Sequence, residues 1–442
     1  MELSFIYTLL CLLVSIAVMI VLSAKYRVHA FFALMISCFI MGLGVQLSLT
    51  DIVGAIQSGF GNIMKSLGLI VILGTTLGVL LEYTGATKVM AAVILRKVGE
   101  SNAAVSMSVT GFIVGLPIFC DSGYIVLSSL SKTLSGRTGI SMVVMAVSLA
   151  TGLYAVHCLI PPHPGAAGAA AVIGADFGKL MLIGTLIAIP AGIVGHLWAV
   201  YAGKKYPLSV VPEETASEEK TILPSAWRSF LPVIVPILLI GLNSFYKMEH
   251  AETKGWLALL LSLGNPSIAL AIGVILAFNC KRDWTKESVS VLLRDGAEKA
   301  GSILVIIGAG GAFGAVLTLT HIGDQFSRAL PLSAMGILFP FLITSMLKTA
   351  QGSSTVAIIT AASIVHPLLI PLGLNDDTGR LLCVLCMGAG SMMISHANDA
   401  YFWVIAKFSG LEMRPMLNVY SVASLWMGLV SFAMVYLLSL IL

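Results

Sequence analysis

The chain contains Phe119-Cys-Asp-Ser-Gly-Tyr124 in the middle of one apolar run and Ala350-Gln-Gly-Ser-Ser-Thr355 in the middle of another. A carboxylate or an uncovered Gly-Ser stretch inside an apolar segment is costly in a membrane unless it lines a cavity or is buried in protein. We interpret the two stretches as the tips of re-entrant hairpins over residues 102–132 and 334–371. The alternative is two ordinary bent spans at each place. The equivalent positions of the tips predict a duplicated binding site inside the membrane.

The composition also indicates a membrane protein. Of the 442 residues, 58% are hydrophobic and 10% are charged, whereas soluble domains have about 25% charged residues. The net charge of +4 is spread over short loops, so we expect no nucleic-acid partner. The seven cysteines lie mostly in apolar segments and predict buried thiols. We therefore predict an all-α polytopic membrane protein that lies in the lipid bilayer, with no cofactor and no metal site.

The spans and their orientation follow from hydropathy and from the positions of Lys and Arg. A span needs about 20 apolar residues. Outside the hairpins, ten segments qualify: 3–23, 29–48, 67–83, 140–157, 178–203, 226–246, 256–279, 300–319, 380–395 and 418–441. If both hairpins return to their starting side, the basic clusters all fall on one face, which the positive-inside tendency makes cytoplasmic. Both termini are then predicted to be periplasmic.

The two halves of the sequence resemble each other. Residues 69–81 align with residues 305–317, so that Gly74 lies over Gly310 and Gly78 over Gly314. Because the first half has five spans, the second half runs the opposite way, as in the inverted repeats of many secondary transporters. The predicted division is a first repeat 1–203 with a broken helix 140–174, a cytoplasmic linker 204–225, and a second repeat 226–442 with a broken helix 380–408.

Each tip has its own chemistry. Asp121 is a carboxylate at membrane depth that can take up a proton near neutral pH, which favours a proton-coupled carrier. The alternative is a structural carboxylate bonded to backbone N–H groups. Ser122 and Gly123 let backbone amides approach a ligand. The second tip offers an amide, three hydroxyls and the N–H groups of a helix start, which attract anions. These groups belong to Gln351, Gly352, Ser353, Ser354 and Thr355, whose serines alternatively cap the following helix.

A second matched pair of motifs follows the hairpins. These are His157-Cys-Leu-Ile-Pro-Pro-His-Pro-Gly165 and Ser395-His-Ala-Asn-Asp-Ala-Tyr-Phe-Trp403. Three prolines within four residues cannot continue a helix, and unwound segments of discontinuous helices form substrate and ion sites. The residues that we expect to line the site are Pro162, His163, Gly165, His396, Asn398 and Asp399. The histidines either bind substrate hydroxyls or relay protons, or they are structural. Asp399 either binds the solute, takes up the coupled proton or caps a helix.

With Ile307-Gly-Ala-Gly-Gly-Ala-Phe-Gly314, these motifs resemble those of the gluconate permease family over nearly the whole chain. The resemblance implies proton symport of sugar acids and similar small hydroxy acids across the bacterial inner membrane. It also implies kinship with the ion-transporter superfamily, whose members are typically homodimers with an elevator-like transport domain. Family members often have Glu-Val-Gly in place of Asp121-Ser122-Gly123. A smaller hydroxy acid such as glycerate, a uronate-type acid, or a hydroxylated amino acid such as serine therefore stays an alternative to gluconate.

The leading hypothesis is a secondary active proton symporter for a small hydroxylated carboxylate, and not an enzyme. Sodium coupling is the nearest alternative, because unwound backbone carbonyls can also hold sodium. A membrane-embedded enzyme is a remote alternative that the histidines and aspartates at membrane depth keep open. Twin hairpins that close from opposite sides disfavour a passive channel.

Overall fold

The computed structural model describes residues 5–99, 102–208, 223–249, 261–323 and 332–441, together with Trp256 and Gln325. All regular elements formed by these residues are helices, and seven of the described helices are long and apolar enough to cross a membrane. The prediction of an all-α polytopic membrane protein is confirmed. Most of the predicted linker 204–225 lies outside the described residues.

The described part of the first half forms nine helices: α1 (Phe5–Ile20, continued by Val21–Lys25), α2 (Ala30–Gly44), α3 (Leu49–Tyr83), α4 (Ala86–Val98), α5 (Ala103–Gly115), α6 (Cys120–Thr138), α7 (Met142–Leu159), α8 (Pro164–Ile173) and α9 (Phe177–Gly203). The described part of the second half forms α10 (Ala226–Glu249), α11 (Pro266–Phe278), α12 (Lys286–Leu319), α13 (Leu338–Gln351), α14 (Ser354–Val365), α15 (Asp377–Ser391), α16 (Ala400–Ser409) and α17 (Val422–Ser439, preceded by Met413–Pro415 and Met416–Ser421). Both halves contain a long helix, then a pair of short helices, then a broken helix, then a final apolar helix.

We call α5 with α6 hairpin 1, and α13 with α14 hairpin 2. Helix α5 has 13 residues and α14 has 12, so at 1.5 Å per residue each is roughly 20 Å long or less. Each hairpin therefore has at least one arm, α5 or α14, that is too short to cross a hydrocarbon core of about 30 Å. Side chains at Gly115 and Gly123 would both contact Leu153 of α7, so the two arms of hairpin 1 turn at the same level. This geometry favours re-entrant hairpins over pairs of bent spans.

We call α7 with α8 broken helix 1, and α15 with α16 broken helix 2. Helix α7 ends before the prolines, and Pro164 opens α8 at the first position, where its missing N–H costs nothing. In broken helix 2 the chain leaves the helix after Ser391 and resumes at Ala400, with Asp399 as the N-cap. Every residue of α7 is buried, and α5, α6, α9, α15 and α16 pack around it. The predicted site is therefore built around the most enclosed helix.

Helices α3 and α12 are longer than the predicted spans 67–83 and 300–319, with 35 and 34 residues. The prediction included only the apolar section of each helix, whereas polar residues continue both helices in the N-terminal direction to the caps at Ser48 and Thr285. The polar first half of α3 lines a cavity of roughly 730 Å³ together with residues of α8 and α12. The bilayer sets the number of apolar residues that a crossing helix needs, about 20. It does not set how far the same helix continues beyond them.

The two long helices pack antiparallel against each other. A side chain at Gly59 would overlap the Gly311 carbonyl, and a side chain at Gly296 would contact Thr76. The aligned glycines make other contacts: Gly74 lies against Pro162 between α7 and α8, and Gly78 approaches the Pro117 carbonyl at the tip of hairpin 1. Their counterparts Gly310 and Gly314 lie against Ile359 and Ser363 of hairpin 2. The small-residue spacing is therefore explained by close contact of the long helices with the hairpins and with broken helix 1.

Candidate functional site

The two matched histidines each hold the tip of their own hairpin. His163 Nε2 donates to the Gly115 carbonyl at 2.8 Å, where α5 ends. His396 Nε2 donates to the Thr349 carbonyl at 3.2 Å, in the last turn of α13. The last carbonyls of a helix have no partner within the helix, so both contacts stabilise a helix end beside a tip. These two hydrogen bonds support a structural role for both histidines. A role in substrate binding or in proton relay stays a prediction.

The tips also meet the broken helices of the opposite halves. A Cβ at Gly165 would lie 3.4 Å from Thr355 Cα, so the N-terminus of α8 meets the N-terminus of α14. The Tyr124 and Ser409 hydroxyls share a hydrogen bond, and the rings of Tyr124 and Tyr401 are 6.0 Å apart, which joins hairpin 1 to α16. Helix N-termini carry unpaired N–H groups and partial positive charge. The place where α8 and α14 begin is therefore suited to an anion.

His157 lies where these elements meet. Its ring stacks on Tyr154 at 6.4 Å and lies 5.1 Å from the ring of His163. Its Nε2 is 3.4 Å from the Thr355 hydroxyl. Its Nδ1 is buried and has no hydrogen-bond partner among the described residues. The sequence motif contained His157, but we did not predict it as a site residue, because only the geometry shows which motif residue contacts the other tip.

The tip of hairpin 2 contains a buried amide that the protein leaves unpaired. Neither Oε1 nor Nε2 of Gln351 has a hydrogen-bond partner within the described part of the chain, although a buried unpaired polar group costs about 1–3 kcal/mol. Next to it, Gly352 has φ +84°, and a side chain there would overlap the Asn398 carbonyl. Ser353 accepts from the Val356 N–H at 3.3 Å, so the capping role of this serine is observed, and Ser354 is buried in the first turn of α14.

Lys348 is the principal residue that the sequence analysis missed. Its Nζ donates to Asp399 Oδ2 at 2.6 Å and to the Gly352 carbonyl. The lysine side chain is 0% exposed and the aspartate side chain 7%. Asp399 Oδ1 also accepts from the Tyr401 N–H at 3.0 Å, which caps α16, and Ser395 donates to Oδ2. Asp399 is thus a paired, capping carboxylate. Lys348 is the sole charged residue of 338–365, and that isolation was an available signal.

Asp121 differs from Asp399. Asp121 is exposed, it accepts a hydrogen bond from the Cys120 thiol at 3.9 Å, and it interacts electrostatically with Asp399 and Lys348. Two other predicted residues line separate cavities. Ser122 lines a small cavity beside Glu82 of α3, and Pro162 lines an apolar cavity beside Gly74.

Most of the remaining predicted residues lie in two groups. The Asn398 amide donates to the Thr349 carbonyl at 2.8 Å, which ties broken helix 2 to hairpin 2. Gly123 packs against Leu153 at the tip of hairpin 1. The structure therefore gathers His163, Gly165 and Thr355 around His157, and it gathers Gly352, His396, Asn398 and Asp399 around the end of α13.

Comparison with known proteins agrees with this architecture. The family described as GntP family permease matches residues 7–441. The chain is 34% identical to a gluconate permease of Pseudomonas aeruginosa, over 99% of this chain and 98% of that one. It is 31% identical to the D-serine transporter DsdX of Escherichia coli, over 97% and 98% of the two chains. Its fold is similar to that of Neisseria gonorrhoeae MtrF, a solved structure, with a TM-score of 0.59 at 15% identity over 92% and 93% of the chains. The chain belongs to the GntP permease family and is a multi-pass inner-membrane transporter, not an enzyme.

Proposed function

We propose that the protein is a proton-coupled symporter of a small hydroxylated carboxylate, which binds between the two hairpin tips and the two helix breaks. The observation that carries this proposal is the buried amide of Gln351 on the tip of hairpin 2, which has no hydrogen-bond partner in the described part of the chain. A bound solute with hydroxyl groups would supply the missing hydrogen bonds. The same solute could form a hydrogen bond with the buried Nδ1 of His157, which also has no partner among the described residues. The N-termini of α8 and α14, which meet at Gly165 and Thr355, suit the carboxylate of such a solute.

Charge supports Asp121 as the proton carrier. Asp399 is neutralised by Lys348 at 2.6 Å, whereas Asp121 is exposed beside that pair. The carboxylate of a bound solute is repelled by a charged Asp121 and not by a protonated one. Binding of the proton and binding of the solute therefore favour each other, which is the requirement for symport. We assign Asp399 to the positioning of hairpin 2, and Asp121 alone to coupling.

Two relatives suggest the class of solute. Gluconate and D-serine, in the names of the Pseudomonas and Escherichia proteins, are both carboxylates that carry hydroxyl groups. We propose a solute of this class and keep both compounds as candidates. Sodium coupling is the second candidate mechanism, because the breaks of α7–α8 and α15–α16 contain unwound backbone.

The proposed architecture is a pair of inverted repeats in an elevator-type homodimer with both termini in the periplasm. The repeat is supported by the shared order of elements and by the antiparallel packing of α3 on α12, which occupy the same place in the two halves. Helices in equivalent positions that run in opposite directions are expected of inverted repeats.

Asp121→Asn is expected to remove the response to a pH gradient. In proteoliposomes with an acidic exterior, the wild type should accumulate radiolabelled gluconate or D-serine. Gradient-driven uptake by the variant should be about 5–150-fold lower than uptake by the wild type, which is the usual range for the coupling between two sites. Asp51→Asn, at the start of α3, is the control with the same chemical change. Uptake by Asp121→Asn that still follows the gradient rules out the proton role, and uptake driven by sodium at fixed pH selects the second candidate.

Gln351→Ala is expected to abolish ligand stabilisation without loss of stability in the free protein. A ligand at 100 times its Kd raises the free energy of unfolding by about 2.7 kcal/mol. The variant removes a buried amide that has no partner among the described residues, so the ligand-free protein should melt at the same temperature or higher. Thermal melting in detergent with and without gluconate or D-serine measures both effects. Gln57→Ala on the exposed side of α3 is the control. A purely structural Gln351 would instead show reduced stability without ligand.

A further inference from the structure

We propose that Glu82, near the end of α3, passes the coupled proton between the tip of hairpin 1 and the face of the protein where α3 ends. The inference rests on the proposed function, because it requires Asp121 to take up a proton. It rests further on two cavities that meet at this one carboxylate.

The inner cavity joins Glu82 to the tip that carries Asp121. Ser122 and Phe119 of the tip line it on one side, and Thr75 and Glu82 of α3 line it on the other. Its volume is roughly 10 Å³, which is close to the least that holds one water. Such a water needs two to four polar partners, and the Ser122 hydroxyl and the Glu82 carboxylate are two of them. A single water therefore suffices to connect Glu82 to the residue next to Asp121.

The outer cavity joins Glu82 to the surface. It has a volume of roughly 600 Å³, and Glu82 lines it as well as the inner cavity. The other charged residues in its lining are Lys88 of α4, Arg228 of α10, and Lys281, Arg282 and Asp283 after α11. Most of these are exposed. A proton released from Glu82 into this cavity has therefore reached the end of the membrane span.

The charges around Glu82 suit a group that both gains and loses a proton. From α12, Lys299 and Asp295 act on it with opposite sign. These two residues form their own pair at 3.0 Å, and each side chain is about two-fifths exposed (40% and 42%). Lys299, which also lines the inner cavity, favours the ionised carboxylate, whereas Asp295 and the position of Glu82 inside the protein favour the neutral one. Acidic residues of transmembrane helices form the proton relays of pumps and transporters.

The two halves of the chain differ at this position. The register that sets Gly74 over Gly310 places Glu82 over Thr318. The Thr318 hydroxyl donates to the Gly314 carbonyl at 2.9 Å and lines the cavity at the opposite end of the molecule. The acid thus occurs in the half whose tip carries Asp121, and a neutral residue occurs in the half whose tip carries Gln351. A general need for a polar residue at the end of a long helix does not explain this difference.

The test separates net proton movement from solute movement. In proteoliposomes, Glu82→Gln should lower pH-gradient-driven uptake of radiolabelled gluconate or D-serine by about a hundredfold, as expected when a proton-transfer group is lost. Counterflow exchange of the same probe at equal pH should stay at the wild-type rate, because the carrier then returns loaded and need not release its proton. Glu82→Asp should recover part of the net uptake. Glu298→Gln on α12 lines neither cavity and should change neither assay.

Each possible result of the two assays either supports or overturns the inference. Wild-type gradient-driven uptake by Glu82→Gln overturns the inference. An equal loss in both assays also overturns it and leaves Glu82 with a structural role. A wild-type protein that takes up neither probe in response to the pH gradient contradicts the proposed function itself, whatever the variant does.

Discussion

Lys348→Met is expected to lower the free energy of unfolding by about 3–5 kcal/mol, because removal of one partner leaves the other charge buried and unpaired. Asp399 is 7% exposed and receives the Lys348 ammonium at 2.6 Å. Without the lysine, Asp399 keeps the Tyr401 N–H and the Ser395 hydroxyl but loses its counter-charge. The Gly352 carbonyl loses the same donor. Denaturant titration in detergent, followed by tryptophan fluorescence, measures the change.

The double variant Lys348→Met/Asp399→Asn is expected to recover much of this loss. Asn is a good N-cap, so α16 keeps its cap, and no uncompensated charge is left. Lys299→Met is the matched control, because Lys299 also pairs with an aspartate at 3.0 Å but on a half-exposed helix surface. Such pairs contribute about 0.3–0.5 kcal/mol. A single variant Lys348→Met as stable as the wild type would contradict the assignment of a buried ion pair.

Gly352→Ala is expected to abolish transport. Its φ of +84° is unfavourable for any residue with a Cβ, at a cost of about 1–2 kcal/mol. The new methyl group would also overlap the Asn398 carbonyl. Hairpin 2 must then move away from broken helix 2, which breaks the 2.8 Å hydrogen bond from Asn398 to the Thr349 carbonyl. A shift of about 1 Å at such a site can cost a hundredfold in rate.

Gly373→Ala separates the two effects at Gly352. Gly373 has φ +72° in the loop after hairpin 2, and a Cβ there meets no atom within 4 Å. Gly373→Ala therefore carries the backbone cost without the overlap, and we expect it to transport at a near-normal rate. Uptake of radiolabelled gluconate or D-serine in proteoliposomes, with reconstituted protein quantified, compares the two. Equal activity of the two variants would show that the tip tolerates displacement from Asn398.

Local chemistry made the breaks in the helices predictable. Three prolines between 161 and 164 end α7, and the Gly-Ser-Ser stretch ends α13 at the tip of hairpin 2. The full length of α3 was not predictable from hydropathy, because its first half is polar and resembles a loop. Ordinary helix-forming residues and the cap at Ser48 continue it.

The contacts between the site residues were harder to predict than the residues themselves. His163, Gly165 and Thr355 were predicted site residues; Gly165 lies against Thr355, and His157 contacts both His163 and Thr355. The pairing of Lys348 with Asp399 joins residues 51 positions apart, and nothing local to either residue encodes it. Ser122 lines the cavity beside Glu82, and a role in solute binding stays a prediction. Such outcomes depend on how hairpin 1 is rotated against α3, and that rotation is set by contacts such as the one between Gly78 and Pro117.

The length of α3 has a consequence for the bilayer around the protein. The cavity at its beginning is lined up to Ile63, and the cavity at its end is lined from Glu82 onward. Residues 64–81 between them span about 27 Å, close to the roughly 30 Å of a hydrocarbon core. The section of α3 between the two cavities is thus long enough to cross an ordinary membrane. The first four or so turns of the helix precede this section and line the cavity where α3 begins.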